Sequence, residues 1–231
     1  MAKKTIRSTI VFGDVHGSTY WKEVVSENRV GCRYVFLGDY LDPYENISHK
    51  QLIDNLKAII KLKKVRPDDV VLLLGNHDLH YLHSHIEPCW RFDYDIEDAA
   101  HALFYENADL FQHAFQEGKH IFTHAGISET WFYDDFGGDP NKNIAHQLNN
   151  PHRDQLPALF RIGAMRGGDI NATGGIFWAD LVEIMRDPLQ DYTQYVGHNR
   201  VERVREYIAL NDGQVVFCDC LYNKKYLKLD F

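Results

Sequence analysis

The stretch that decides the fold is Thr9-Ile10-Val11-Phe12-Gly13-Asp14-Val15-His16-Gly17. Four β-favouring residues in a row read as a strand, a glycine ends it, and a carboxylate comes at once. The same grammar recurs four more times. Residues 34–37 lead to Gly38-Asp39, 70–74 to Gly75-Asn76, 120–123 to His124 after Thr123, and 194–196 to Gly197-His198. In open α/β sheets ligands bind beyond the carboxyl ends of the strands, and a glycine there lets the chain turn so that the next side chain points into the crevice. Five such ends can converge on one point.

The segments between these strands extend the pattern. Ser48 and Gln51 form a capping box, and Leu52, Leu56, Ile59, Ile60 and Lys63 continue a helical face until Pro67 stops it, which makes a βαβ crossover. Residues 18–30 also read as a helix, with Ser18 at its N-cap, so the first third alternates strand and helix and predicts a mostly parallel sheet. Over 95–115 the spacing of Ala99, Ala100, Leu103, Phe104, Leu110, Phe111, Ala114 and Phe115 predicts a helix interrupted near Asn107 and closed by Gly118. The stretch 134–175, rich in Gly, Asn, Pro and Asp, reads as long loops holding one or two short helices and forming a wall of the substrate site. Residues 207–210, 215–220 and 226–231 alternate around Asn211-Asp212-Gly213 and Asn223, which predicts antiparallel strands and a second, mixed sheet.

At 231 residues and 45% apolar, the chain is long enough for one domain spanning 1–231. The net charge of −8 argues against a broad nucleic-acid surface, since phosphate contacts need clustered Lys and Arg. The densest basic group, Lys57, Lys61, Lys63, Lys64 and Arg66, reads as the solvated face of a helix. Neither a signal peptide nor a membrane span is evident, and the four cysteines are too few for a disulfide scaffold, so a cytoplasmic protein with reduced thiols is expected. His80, His83 and His85 read as the edge of a helix rather than a metal site, Cys218 and Cys220 as a small buried pair, and Trp21, Trp90, Trp131 and Trp178 as core or pocket wall.

The thirteen histidines beside 33 acidic residues permit metal binding. The residue types at the strand ends fit two divalent cations about 3.5 Å apart, which need a bridging carboxylate and mixed oxygen and imidazole donors. Asp39 is the natural bridge, Asp14 and His16 suit the first cation, and Asn76, His124 and His198 the second. Water held between the cations would lose a proton near neutral pH and become the nucleophile.

In order and spacing, Gly13-Asp14-Val15-His16-Gly17, Gly38-Asp39-Tyr40-Leu41-Asp42, Gly75-Asn76-His77-Asp78, His124-Ala125-Gly126 and Gly197-His198 resemble the signature of the calcineurin-like metallophosphoesterases. The resemblance implies a four-layer αββα fold with two mixed β-sheets flanked by helices, and metal-dependent hydrolysis of phosphate esters. It also implies that His77 is not a metal ligand but a general acid beside the substrate, oriented by Asp42. His124-Ala125-Gly126-Ile127-Ser128 and Phe177-Trp178-Ala179-Asp180 look most like the branch of the Ser/Thr phosphoprotein phosphatases, and this places Trp178 near the site. Three departures stand out. Pro43 occupies the place after the second Asp where that branch carries a phosphate-binding Arg, Asp78 stands where it carries Glu, and Arg200 stands where many members carry a second His, which leaves the first metal short of a protein ligand.

The missing guanidinium must come from elsewhere. Arg161, Arg166 and Arg186 are candidates, and Arg166, flanked by glycines that allow close approach to an anion, is favoured; with Asn76 and His77 it forms the expected substrate contacts. The cofactor expectation is two divalent metal ions, manganese first, with iron, zinc or cobalt compatible. The substrate expectation is a phosphorylated small molecule, nucleotide or phosphoprotein, cleaved as a phosphomonoester. Alternatives are a dinucleoside polyphosphate hydrolase, a phosphodiesterase or nuclease, and last a non-catalytic scaffold that kept the fold.

Overall fold

A computed structural model describes residues 8–28, 31–83 and 90–230. The chain divides into two compact units, one running up to Phe111 and regaining the segment from Cys220, the other comprising Gln112–Asp219. Each carries one mixed five-stranded sheet with helices.

In the first unit, β1 (Ser8–Phe12), β2 (Cys32–Phe36) and β3 (Val70–Leu73) run parallel, joined through α1 (Trp21–Glu27) and α2 (His49–Val65). All of β1 and β3 is buried, as expected of parallel strands covered on both faces. Phe12 packs its ring 4.7 Å from Phe36 and lies parallel to Tyr34 at 6.2 Å. The expected capping box at α2 is present: Gln51 N–H donates to Ser48 Oγ and Ser48 N–H donates to Gln51 Oε1. The first helix is shorter than its sequence suggests. Ser18 does not cap it; the N-cap is Tyr20, while Ser18 belongs to the turn after β1 and accepts from the Tyr20 N–H at 3.4 Å. Val30, its expected end, lies outside the described residues. After β3 come α3 (Asn76–Leu82) and α4 (Glu97–Glu106).

The predicted helix over 95–115 is half right. It stops at Glu106, where the Asn107 side chain donates to the Leu103 carbonyl at 2.7 Å and caps the end. Beyond it the chain forms a short 3-10 turn, then β4 (Phe111–Gln112), β5 (Ala114–Glu117) and β6 (His120–Thr123). Gly118 is not a helix terminus but the positive-φ residue of the two-residue turn between β5 and β6. An aromatic ladder drives the strand: Phe115 pairs with Phe122, and Phe122 with Tyr195 of β7 (Thr193–Val196), the rings of the second pair stacked at 4.6 Å.

The second sheet runs β5, β6, β7, then β9 (Gln214–Phe217) and β8 (Arg205–Ile208), with β6, β7 and β9 parallel. The hairpin of β8 and β9 is the one predicted around Asn211-Asp212-Gly213. The last strand, β10 (Leu227–Asp230), does not join it; it pairs antiparallel with β1 and closes the first sheet. The 134–175 stretch begins in the helical turn Trp131–Asp135 and holds α5 (Ile144–Asn149), α6 (Leu156–Leu159) and a 3-10 turn at Ala164–Arg166. It is pinned by side chains, since Gln116 Oε1 accepts from the first two N–H groups of α5 and Asn149 pairs with the backbone of Ala114. α7 (Leu181–Arg186) precedes β7. Of the tryptophans, Trp21 and Trp131 are core, whereas Trp90 is 88% exposed and forms no part of it. Cys218 and Cys220 are buried thiols, His80 is buried in α3, His83 terminates that helix, and His85 lies outside the described residues.

Candidate active site

Three turns at strand ends build the site of the first unit. The turn after β1 is laced to the turn after β2 by three backbone bonds, Val15 N–H to Gly38 O, His16 N–H to Asp39 O and Gly17 N–H to Tyr40 O. The turn after β2 is locked to the turn after β3 by Asp78, fully buried, whose carboxylate accepts from the N–H groups of Asp39 (2.7 Å), Tyr40 (2.9 Å) and Gly75 (2.8 Å). Burial pushes Asp78 up to about 7, and these three bonds pull it back. The approach is close: a Cβ on Gly75 would lie 2.1 Å from Asp39 Oδ1, so no larger residue fits there.

Asp14, His16 and Asp39 converge. His16 Nε2 lies 3.8 Å from Asp14 Oδ2 and 3.7 Å from Asp39 Oδ2. These gaps are too long for hydrogen bonds but suit donors that each reach one cation at about 2.0–2.2 Å. The His16 tautomer is fixed, because Nδ1 lies 2.8 Å from the Leu41 carbonyl, which can only accept; Nε2 is left with its lone pair. Asn76, buried, opens α3. The donors fit a divalent metal.

His77, next along α3, faces other partners. Its Nδ1 lies 2.6 Å from Asp42 Oδ2, its ring meets that of His16 edge-on at 5.3 Å, and Arg91 Nη2 lies 3.4 Å from its Nε2. Asp42 is held on its other oxygen by the Tyr81 hydroxyl at 2.5 Å. Burial pushes Asp42 up to about 7, while burial first and the Arg91 charge second push His77 down to about 3. An anion bound at Nε2 would draw off the Arg91 charge and favour protonation of the imidazole there.

Arg91 lies beside His77 and is a residue that the sequence did not single out. Its guanidinium lies 3.4 Å over the ring of Tyr44, which itself sits edge-on to His16 at 5.0 Å, and its buried Nε has no hydrogen-bond partner among the described residues. No glycine and no motif marks it. The signal is in the backbone: of the nine non-glycine residues at positive φ among those described, five are His16, Asp39, Asp42, Arg91 and His198. Strained conformations cluster at functional sites.

In the second unit, His124 and His198 come directly after β6 and β7, and a bond from Gly197 N–H to the His124 carbonyl ties the two turns. His124 Nε2 and His198 Nδ1 lie 3.2 Å apart, the spacing of two imidazole nitrogens on one ion. Gln194 Oε1 and Nε2 clasp the N–H and carbonyl of Ile127 and hold the loop after His124 in place. Trp178 sets its ring edge-on to His198 at 6.1 Å. Arg166 ion-pairs with Asp180 at 3.0 Å and donates to Asn199, and Arg161 donates to the Thr173 carbonyl and pairs with Asp135.

An α/β protein with two mixed sheets and carboxylate, amide and imidazole donors at the strand ends defines a metal-dependent hydrolase class. The calcineurin-like phosphoesterase family model matches residues 8–214, and the chain belongs to that family. It is a hydrolytic metallophosphoesterase, and the family uses divalent metals. Among solved structures, a cold-active protein tyrosine phosphatase matches at 17% identity and a TM-score of 0.61, over 97% of this chain and 74% of that one. A mutant of a cold-active protein tyrosine phosphatase matches at the same identity and TM-score, over 97% and 76%. A serine/threonine phosphatase from Saccharomyces cerevisiae matches at 14% identity and a TM-score of 0.53, over 92% of this chain and 67% of that one. These likenesses share the fold. No curated protein matches. Among the described residues no helix is long and apolar enough to cross a membrane.

Proposed function

We propose that the protein is a phosphomonoesterase in which Asp14, His16, Asp39, Asn76, His124 and His198 hold two divalent cations, manganese first. When bound, the cations would acidify the attacking water and neutralise phosphoryl charge. His77 donates a proton from Nε2 to the departing alkoxide, and Asp42 orients it through Nδ1. Arg91 grips the phosphoryl oxygens beside Nε2, with Tyr44 supporting the guanidinium plane and Asn76 contributing its amide. The observation that carries this reading is the continuous line Asp42, His77, Arg91: a carboxylate, an imidazole and an arginine whose buried Nε has no hydrogen-bond partner among the described residues. Such a line suits a terminal phosphoryl group with its extra charge. Phosphoprotein, nucleotide and small-molecule monoesters all present one.

Arg166 is the competing grip, and its ion pair with Asp180 and its hydrogen bond to Asn199 commit part of its fork to its own unit. The 134–175 segment is proposed as a wall of the substrate site on the strength of its length and irregular backbone. A cytoplasmic setting, in which thiols such as the buried Cys32, Cys218 and Cys220 stay reduced, is part of the proposal.

The test is hydrolysis of a monoester against a diester after chelation and separate metal addition, and then of phosphopeptides and dinucleoside polyphosphates. Monoester preference is expected; a diester or polyphosphate preference would overturn the reading. Arg91→Ala should raise KM and weaken inhibition by inorganic phosphate about 10- to 100-fold, the worth of a charge-assisted bidentate contact. If Arg166→Ala did this and Arg91→Ala did not, the grip would belong to Arg166.

A further inference from the structure

Tyr81 lies on α3, one turn beyond His77, and is 1% exposed. A buried phenol needs partners, and this one uses both of its capacities. The oxygen accepts from the Asp93 backbone N–H at 3.1 Å, so the hydroxyl proton is directed to Asp42 Oδ1 at 2.5 Å. The ring stacks on Phe92 at 4.5 Å, and its own carbonyl lies 2.8 Å from His101 Nδ1 on α4. One hydroxyl therefore joins the carboxylate behind the general acid to the strand of chain that carries Arg91, two residues before Asp93.

We propose that Tyr81 is a positioning residue whose hydroxyl holds the His77–Asp42 pair and the Arg91 segment in one register. This rests on the phosphomonoesterase reading. With Oδ1 pinned, the plane of the Asp42 carboxylate is set and Oδ2 faces His77 Nδ1. With the Asp93 N–H engaged, the 90–95 segment is anchored beside α3, and Arg91, at φ +76, is held against Tyr44 and His77. Remove the oxygen and two things loosen together. The acid loses its orientation, and the guanidinium loses its anchor.

Tyr81→Phe keeps the ring, the Phe92 stack and the helix, and deletes only the hydroxyl. The manganese-loaded protein would be assayed with p-nitrophenyl phosphate, whose leaving group needs little protonation, and with phenyl phosphate, which needs more. Inhibition by inorganic phosphate and metal content would be measured alongside. The expected result is unchanged metal content, a kcat on phenyl phosphate lowered about 10- to 100-fold, a fall several-fold smaller on p-nitrophenyl phosphate, and inhibition by phosphate weakened about 3- to 10-fold. A merely structural role would lower both esters equally. Equal losses on the two esters, or unchanged inhibition by phosphate, would overturn the proposal. Should the variant fail to fold, hydrogen exchange on the unaltered protein decides. The Asp93 amide should be protected like those of α3, and free exchange there would overturn the tie. A wild-type protein inactive on both monoesters would instead sink the phosphomonoesterase reading itself.

Discussion

Replacing Asp78 by alanine should be the most costly single change near the candidate site that touches no proposed metal ligand. The carboxylate accepts three backbone N–H groups, from Gly75, Asp39 and Tyr40, in a place with no solvent exposure. Deleting it leaves three buried donors unsatisfied at about 1–3 kcal/mol each, a simple sum of roughly 3–9 kcal/mol. Water entering the vacated volume recovers part of this, so a loss of at least about 3 kcal/mol is expected. Asp78→Asn is the control. Its carbonyl can take the place of Oδ2 and keep the bonds from Asp39 and Gly75, losing only that from Tyr40, about 1–3 kcal/mol.

Charge adds a pH signature. Burial raises the folded-state pKa of Asp78 to about 7 from 3.8, so the folded form binds the proton more tightly than the unfolded chain. The stability associated with that proton is complete below pH 4 and lost as the pH climbs through 7. The asparagine variant has no such group, so it should gain on the wild type across this window. Urea midpoints at pH 5 and pH 8, on chelated protein with the slope compared, read both effects. Manganese affinity should fall with Asp78→Ala, because the Asp39 backbone, at φ +51, is held by this carboxylate. A loss under about 1 kcal/mol for Asp78→Ala, or an asparagine variant less stable than the alanine one, would refute the reasoning.

Two further outcomes are expected at the site. His77→Ala and Asp42→Asn should lower kcat with metal content unchanged, His77→Ala by about 10²–10⁴-fold on poor leaving groups; intact turnover of such esters would remove the acid assignment. Asp39→Asn should lose both metal and activity, read by metal analysis after dialysis, since the proposed bridging carboxylate becomes an amide.

The strand-end grammar was legible because it is local: a β-favouring run, a glycine and a polar residue sit within a few positions, and the tight turns that result are backbone events. Gly38 at φ +109 packed against Gly75 is the clearest case. The capping box of α2 was legible for the same reason. Strand β5 was not, because Phe111 and Phe115 are four apart, as on a helix face, and the rings that recruit Phe115 into a sheet, Phe122 and Tyr195, lie on other strands. The return of β10 to β1 is equally non-local. Arg166 attracted notice through its glycines, yet those serve the chain itself. Gly167 is at φ +94, and a Cβ on Gly168 would meet the Ile162 carbonyl at 2.0 Å. Arg91 offered no local mark, since its conformation and its place over Tyr44 are tertiary facts.

The position of Pro43 gives the Arg91 assignment its consequence. Where an arginine directly succeeds the aspartate that orients the acid, the grip and the orienting carboxylate are joined by a peptide bond, and nothing short of unfolding the turn separates them. Pro43 supplies neither a guanidinium nor a backbone N–H at that place. On the proposed reading the guanidinium comes from a distant segment, and covalent adjacency is replaced by two hydrogen bonds through one phenol, Asp93 N–H to Tyr81 and Tyr81 to Asp42. The bond to the Asp42 carboxylate in such a joint contributes about 1.5–3 kcal/mol, the range of a single hydrogen bond to a charged group. Phosphate affinity and proton donation then share one support, and a change at Tyr81 should move both.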